Sequence, residues 1–117
     1  MGYEKDCLFC KIGAGELPAE KVYEDDKYLG FKDINPKAKV HILLIPKSHT
    51  KDIVELAVID EKALSEMAVI AKEIANENSN GEFRFFFNTG KSAGQVVFHT
   101  HAHIMNDVVK DEFTPLV

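Results

Sequence analysis

The chain has 117 residues, 45% of them apolar and 28% charged, which suits one globular domain (residues 1–117) with a single core. Its 14 basic and 19 acidic residues leave a net charge of −5, which excludes wholesale binding to a nucleic acid polymer or an anionic membrane. No apolar stretch is long enough to span a bilayer, residues 1–6 lack the basic and apolar regions of a signal peptide, and the two cysteines, Cys7 and Cys10, are too close to staple a fold; a cytoplasmic protein with reduced thiols is expected.

Gly13, Gly15 and Pro18 mark a turn after the cysteine segment. Residues 21–24 and 27–33 then read as two strands joined by a tight turn at Asp25-Asp26. Asn35-Pro36 breaks the chain, because the residue before proline is pushed out of helical geometry. Residues 39–45 (KVHILLI) form a central strand, with His41 on the same face as Leu43 and Ile45. Asp60 suits the N-cap of a helix reaching about Asn76, whose apolar stripe is Ala63, Leu64, Met67, Ala71, Ile74 and Ala75. Gly81 lies just past its end. Residues 82–88 and 97–105 complete the strands, and no element is assigned after Asn106. Strands, one long helix, then strands again predict an α+β domain with a mainly antiparallel sheet and the helix on one face.

Three of the five histidines stand at alternate positions, His99, His101 and His103. On a strand they share one face, while Phe98, Thr100, Ala102 and Ile104 face a core. Such a strip of imidazoles can bind phosphate, attack phosphorus, donate a proton or hold a metal. A surface strand that merely carries histidine is the bland rival. The preceding loop, from Asn88 through Gly90 and Gly94 to Gln95, favours phosphate, since glycines let backbone N–H groups approach an anion. It is not a Walker A loop: position 85 is Phe where the first glycine should stand, and no helix follows.

Residues 94–103 (GQVVFHTHAH) resemble the signature of the histidine triad (HIT) superfamily. The likeness extends to residues 39–49 (KVHILLIPKSH), 31–36 (FKDINP) and 7–12 (CLFCKI), and is strongest to small nucleoside phosphoramidate hydrolases and their bacterial relatives. The resemblance implies a five-stranded sheet with one long and one short N-terminal helix, and a homodimer. It implies a hydrolase of purine nucleoside phosphoramidates or related AMP- or GMP-like derivatives, acting through a covalent nucleotidyl-histidine. His101 would be the nucleophile and His103 a phosphate contact and proton donor, with His41 beneath the triad. Asp33 would hold the ribose, although capping the following turn is a rival role. Phe9, Ile12, Phe31 and Ile34 would form the base slot, with core packing the rival for Phe31 and Ile34. Asn88, Gly94, Gln95, Val96 and Val97 would line the phosphate site. Some relatives carry serine where this chain has Val96, and the tail lacks the tryptophan-containing extension of the eukaryotic branch, so leaving-group preference is not carried over.

Cys7-x-x-Cys10 has no βαβ unit around it, as a thioredoxin-like redox pair requires. Similarity to zinc-bearing members implies a closed structural zinc site of Cys7, Cys10, His49 and His99, with inert buried thiols as the rival. Two other functions remain open: a dinucleoside polyphosphate hydrolase, and a nucleotide-binding regulatory partner with weak catalysis.

Overall fold

The computed structural model describes residues 2–108; the tail beyond them, including the region compared with the eukaryotic extension, lies outside the described residues. Helix α1 (Leu8–Gly13) precedes strands β1 (Lys21–Glu24), β2 (Tyr28–Lys32) and β3 (Ala38–Pro46). Helices α2 (Ile53–Ile59) and α3 (Ala63–Asn78) follow, then β4 (Arg84–Phe86), a 3₁₀ turn at Lys91–Ala93, and β5 (Ala102–Val108). The five strands pair in the order β1-β2-β3-β5-β4, every neighbour antiparallel. The fold is α+β, as expected. No helix among the described residues is long and apolar enough to cross a membrane.

Strand alternation separates two cores. Ile42 and Leu44 face one side with Ala102 and Ile104, and there Met67, Ala71 and Ile74 of α3 cover the sheet. Leu43 and Ile45 face the other side with Leu29 and Phe31, and there Phe9 and Ile12 of α1 cover it. Close contact with α3 needs a small residue on β2: a Cβ on Gly30 would lie 3.0 Å from Ile74 Cδ1. The second face carries the histidines. His41 pairs across the ladder with Met105, and His103 pairs with Leu43 and Phe86.

Four expectations are corrected. Asp60 does not cap the long helix. It ends α2, while its carboxylate takes Lys62 N–H at 3.2 Å and Lys27 Nζ at 2.7 Å. Helix α2 itself was unanticipated. Asp52 caps it by accepting Glu55 N–H at 2.9 Å, but of its residues only Leu56 is buried, so the apolar pattern is weak. Leu64 lies outside the buried stripe, at 43% exposure. The last strand starts at Ala102 rather than near Val97, and Phe98 is exposed. Residues 99 and 100 are tied instead to the end of β3 and the loop after it: His99 Nε2 donates to Pro46 O (2.7 Å), and Thr100 N–H to Thr50 O (2.8 Å). The predicted strand over 82–88 shortens to three residues.

Candidate functional site

Because the chain bends before β5, the three imidazoles part company. His99 turns fully buried toward the cysteines, whereas His101 and His103 face α1 and the sheet with ring centroids 5.1 Å apart. The edge of Phe9 meets His101 at 5.1 Å. Phe86, the cross-strand partner of His103, stacks on its ring at 4.8 Å and 10°.

Hydrogen bonds assign the protons. His101 Nδ1 lies 2.8 Å from the His99 carbonyl, which only accepts, so Nδ1 carries the proton and Nε2 keeps its lone pair. Lys37 N–H donates to His41 Nδ1 (3.0 Å), which places the neutral His41 proton on Nε2. That proton points to His103 Nδ1 at 2.9 Å, with Asp33 Oδ2 3.4 Å away. His103 must therefore carry its own proton on Nε2, a buried atom with no hydrogen-bond partner. Burial holds His41, His101 and His103 below the ordinary histidine pKa, with His103 pushed down to about 4. Asp33, His41 and His103 are near enough together to hold a cation. Lys37 N–H already occupies the other nitrogen of His41, however, so a metal on Nε2 would demand an imidazolate.

Beside the two rings lies a cavity of about 430 Å³ lined by Phe9, Ile12, Phe31, Asp33 and Val97 as well as His101 and His103. Phe31 is buried, while Ile34 reaches the cavity from its rim at 92% exposure. Asp33 makes the turn contact of the rival reading and also lines this cavity. Its Oδ1 accepts Asn35 N–H (2.8 Å) in the turn, and Oδ2 stays on the site side near His41. Asn88 and Gly94 line a second cavity that also reaches His103 and Val96. The glycine loop spends most of its donors internally. Ala93 and Gln95 N–H bond Gly90 O, and Gly94 N–H bonds Lys91 O. Gln95 is likewise enclosed: its amide accepts Gly90 N–H (2.9 Å) and donates to Lys51 O (2.7 Å) and Val97 O (3.0 Å). It shapes the loop from within, while Val96 is 83% exposed beside the site.

The ligand atoms of Cys7, Cys10, His49 and His99 lie within 4.8 Å of one another. Tetrahedral zinc, with bonds of about 2.0–2.3 Å, spaces its ligands roughly 3.3–3.8 Å apart. The separations of His99 Nδ1 from Cys7 Sγ (3.3 Å) and Cys10 Sγ (3.5 Å), and of His49 Nδ1 from Cys10 Sγ (3.5 Å), fit that spacing. Donation from His99 Nε2 to Pro46 O fixes the tautomer that turns a bare Nδ1 toward the sulfurs. Burial alone favours the neutral thiol, pushing Cys10 up to about 11; a bound divalent cation reverses that preference.

Residues 6–114 match the family described as "Scavenger mRNA decapping enzyme C-term binding". Protein HitA of Neisseria gonorrhoeae is 46% identical over 105 residues, spanning 89% of this chain and 98% of that protein. The purine nucleoside phosphoramidase of Escherichia coli is 35% identical over 103 residues, 86% of this chain and 87% of that protein. A solved histidine triad protein from Clostridium difficile superposes with a TM-score of 0.82 at 41% identity, covering 87% of this chain and 90% of the other. The chain belongs to the histidine triad (HIT) superfamily.

Within this HIT domain the sequence reading missed three contributors. Phe86 was one of a run of phenylalanines, and only the β4–β5 register turns it toward His103. Thr50 and Thr100 share a buried 2.6 Å hydroxyl contact that anchors the bend carrying His99 and His101. Lys37 acts at His41 through its backbone N–H, which no side-chain pattern reveals.

Proposed function

We propose that this HIT protein is a nucleotide hydrolase that cleaves the phosphorus–nitrogen bond of purine nucleoside phosphoramidates, with His101 as nucleophile. The observation that carries this reading is the tautomer pair: a lone pair on His101 Nε2 beside an unpartnered donor on His103 Nε2. A nucleophile and a proton donor then face the same small space. The nucleoside fits the cavity of about 430 Å³, its base among Phe9, Ile12 and Phe31 and its ribose on Asp33.

His101 Nε2 bonds to phosphorus as the phosphorus–nitrogen bond breaks. The electron pair of that bond leaves on the amine nitrogen, which takes a proton from a water that His103 Nε2–H hydrogen-bonds, so His103 keeps its proton. Positive charge forms on the phosphorylated imidazole, stabilised through Nδ1–H by the His99 carbonyl. The His41 Nε2–H bond to His103 Nδ1 keeps that donor on Nε2. The hydroxide left by the water then attacks phosphorus, and the electron pair of the phosphorus–Nε2 bond returns to His101. Val96 and Val97 N–H groups, which donate to no described residue, suit the non-bridging oxygens.

Zinc on Cys7, Cys10, His49 and His99 belongs to the same reading. It would be structural, since four protein ligands leave no open position. Its work is to hold His99, whose carbonyl holds the nucleophile. A homodimer is also proposed, paired through edge strand β4, where Phe85, and Phe87 just beyond the strand, lie half-buried. Sedimentation of the purified protein tests it.

Steady-state assays of wild type and His101→Ala on an adenosine 5′-phosphoramidate and a diadenosine polyphosphate test the activity. The wild type turns over the phosphoramidate, and the variant falls by at least ~1000-fold. Preference for the polyphosphate would move the protein to that hydrolase class. Nucleotide binding without turnover would make it a binding module. Unimpaired His101→Ala would remove the nucleophile assignment.

A further inference from the structure

A groove of about 940 Å³ reaches Cys7 and His49 but neither Cys10 nor His99. Cys7 is half-buried on its wall, Cys10 is buried, and neither is in a disulfide. Cys10 N–H donates to Cys7 Sγ (3.4 Å), and both sulfurs lie beside one atom, His99 Nδ1, at 3.3 and 3.5 Å. The two thiols are therefore gathered, within 4.8 Å, around the residue whose carbonyl holds His101.

We propose that Cys7 and Cys10 form an oxidation site for peroxide, and that closing their disulfide releases His99 and so disarms His101. The loss of turnover rests on the hydrolase reading; the chemistry at the sulfurs does not. Cys7, which the groove reaches, attacks hydrogen peroxide. A sulfur–oxygen bond forms as the oxygen–oxygen bond breaks, and the thiol proton leaves with the departing hydroxide as water. Cys10 Sγ then attacks Cys7 Sγ, and the sulfenic hydroxyl departs with the Cys10 proton as a second water. The peroxide takes one electron from each sulfur, and no other reactant is needed. Both residues belong to the start of α1, outside the sheet, so side-chain rotation closes the gap to a bond of about 2.05 Å.

His99 carries the oxidation to the nucleophile. Its Nε2–H donates to Pro46 O, so Nδ1 is a bare acceptor in a residue with 0% exposure. Among the described residues, only the two sulfurs are within hydrogen-bond reach of that atom. A thiol S–H satisfies it, and so does the zinc proposed above. A disulfide has no proton to give, which leaves a buried acceptor without a donor. The other tautomer would turn a lone pair on Pro46 O at 2.7 Å, and a doubly protonated ring would put a charge in a fully buried place. The ring must therefore move. It shares a residue with the carbonyl that takes His101 Nδ1–H, in the same peptide that holds Thr100 N–H on Thr50 O, so its shift misplaces the nucleophile.

The test treats reduced wild type with hydrogen peroxide and reads three things. Alkylation and mass spectrometry count free thiols, proton NMR follows His101 Nδ1–H, and turnover is measured on an adenosine 5′-phosphoramidate. A disulfide within one chain should form, the His101 signal should shift, and kcat should fall by about tenfold or more. Dithiothreitol, which leaves methionine sulfoxide in place, should reverse all three. Zinc-loaded protein should release the ion to a chromogenic chelator in step with the disulfide. Cys10→Ser should stop at a Cys7 sulfenic acid that dimedone traps, and Cys7→Ser should leave Cys10 reduced; the wild-type readings decide if either variant fails to fold. Two free thiols after treatment, or disulfides only between chains, would overturn the inference. So would a disulfide that leaves the His101 signal in place or keeps the zinc bound. No turnover by untreated wild type would overturn the hydrolase reading, and the His101 signal would still decide this one.

Discussion

His41 Nε2 and His103 Nδ1 lie 2.9 Å apart, and only one proton can sit between them. Its place is set from outside the pair, because Lys37 N–H occupies the other His41 nitrogen and makes His41 the donor. A backbone group two steps away thereby fixes His103 with its proton on Nε2. His41→Ala should let His103 change tautomer and lower kcat by about 100-fold, within the usual range for proton-transfer groups. His41→Gln places an amide N–H near the lost Nε2–H and should recover part of the rate. The direct check is the nitrogen chemical shifts of His103, which should report an Nε2–H imidazole in wild type and a mixture in His41→Ala. An Nδ1–H imidazole in wild type would refute the chain of donors.

Phe86 lies parallel to His103 at 4.8 Å, on the face opposite neither of its hydrogen-bonding nitrogens, so it fixes the ring plane without competing for its protons. Aromatic stacking of this kind contributes about 0.5–1.5 kcal/mol beyond area burial. Phe86→Ala should lower kcat by up to about tenfold while KM for the nucleotide moves little. Phe86→Tyr, which keeps the ring, should stay close to wild type. Equal losses in both variants would show that the stack does not position His103.

The cysteine–histidine cluster joins the proposed nucleophile through one residue. His99 presents Nδ1 to the cluster and its carbonyl to His101 Nδ1–H. Protein purified without chelator should carry one zinc per chain by elemental analysis. Cys10→Ser should lose the metal, lower Tm and reduce activity through the misplaced His99 carbonyl. Absence of zinc from carefully purified wild type would remove the four-ligand site.

Local chemistry made most of this fold legible. Alternation in KVHILLI assigned β3 and its two faces, and the Asp25 turn marked the hairpin. The bend over 97–101 was not legible, because it is enforced by partners distant in sequence, Pro46 O and Thr50 O. A His-x-His-x-His pattern reads as one strand face, yet the structure sends His99 one way and His101 another. Helix α2 escaped notice for the opposite reason: Val54 and Val58 are 60% and 80% exposed, so its apolar residues do not mark its buried side. Asp60 had the chemistry of a helix cap and found other partners, Lys62 N–H and Lys27.

Burial of the site should also appear in stability against pH. His103 is pushed down to about 4 by burial first, with His101 and His41 adding to the effect and Asp33 opposing it. An exposed histidine in the unfolded chain titrates near 6.5. Between these values the unfolded state binds a proton that the folded state refuses, so stability must fall as pH drops from about 6.5 toward 4. The penalty from His103 is on the order of 2–3 kcal/mol when complete, and above pH 7 the group contributes no slope. His41, also lowered mainly by burial, acts in the same direction. Asp60 and Glu66, held below their usual range chiefly by Lys27, lose their stabilising contribution only at lower pH, as they protonate. Urea unfolding at pH 7.5, 6 and 5 separates the two windows. Wild type should lose stability steadily across this range, and His103→Asn should lose less of it. An unchanged slope in His103→Asn would mean that His103 is protonated in the folded protein, which would also remove the hydrogen-bond chain from His41.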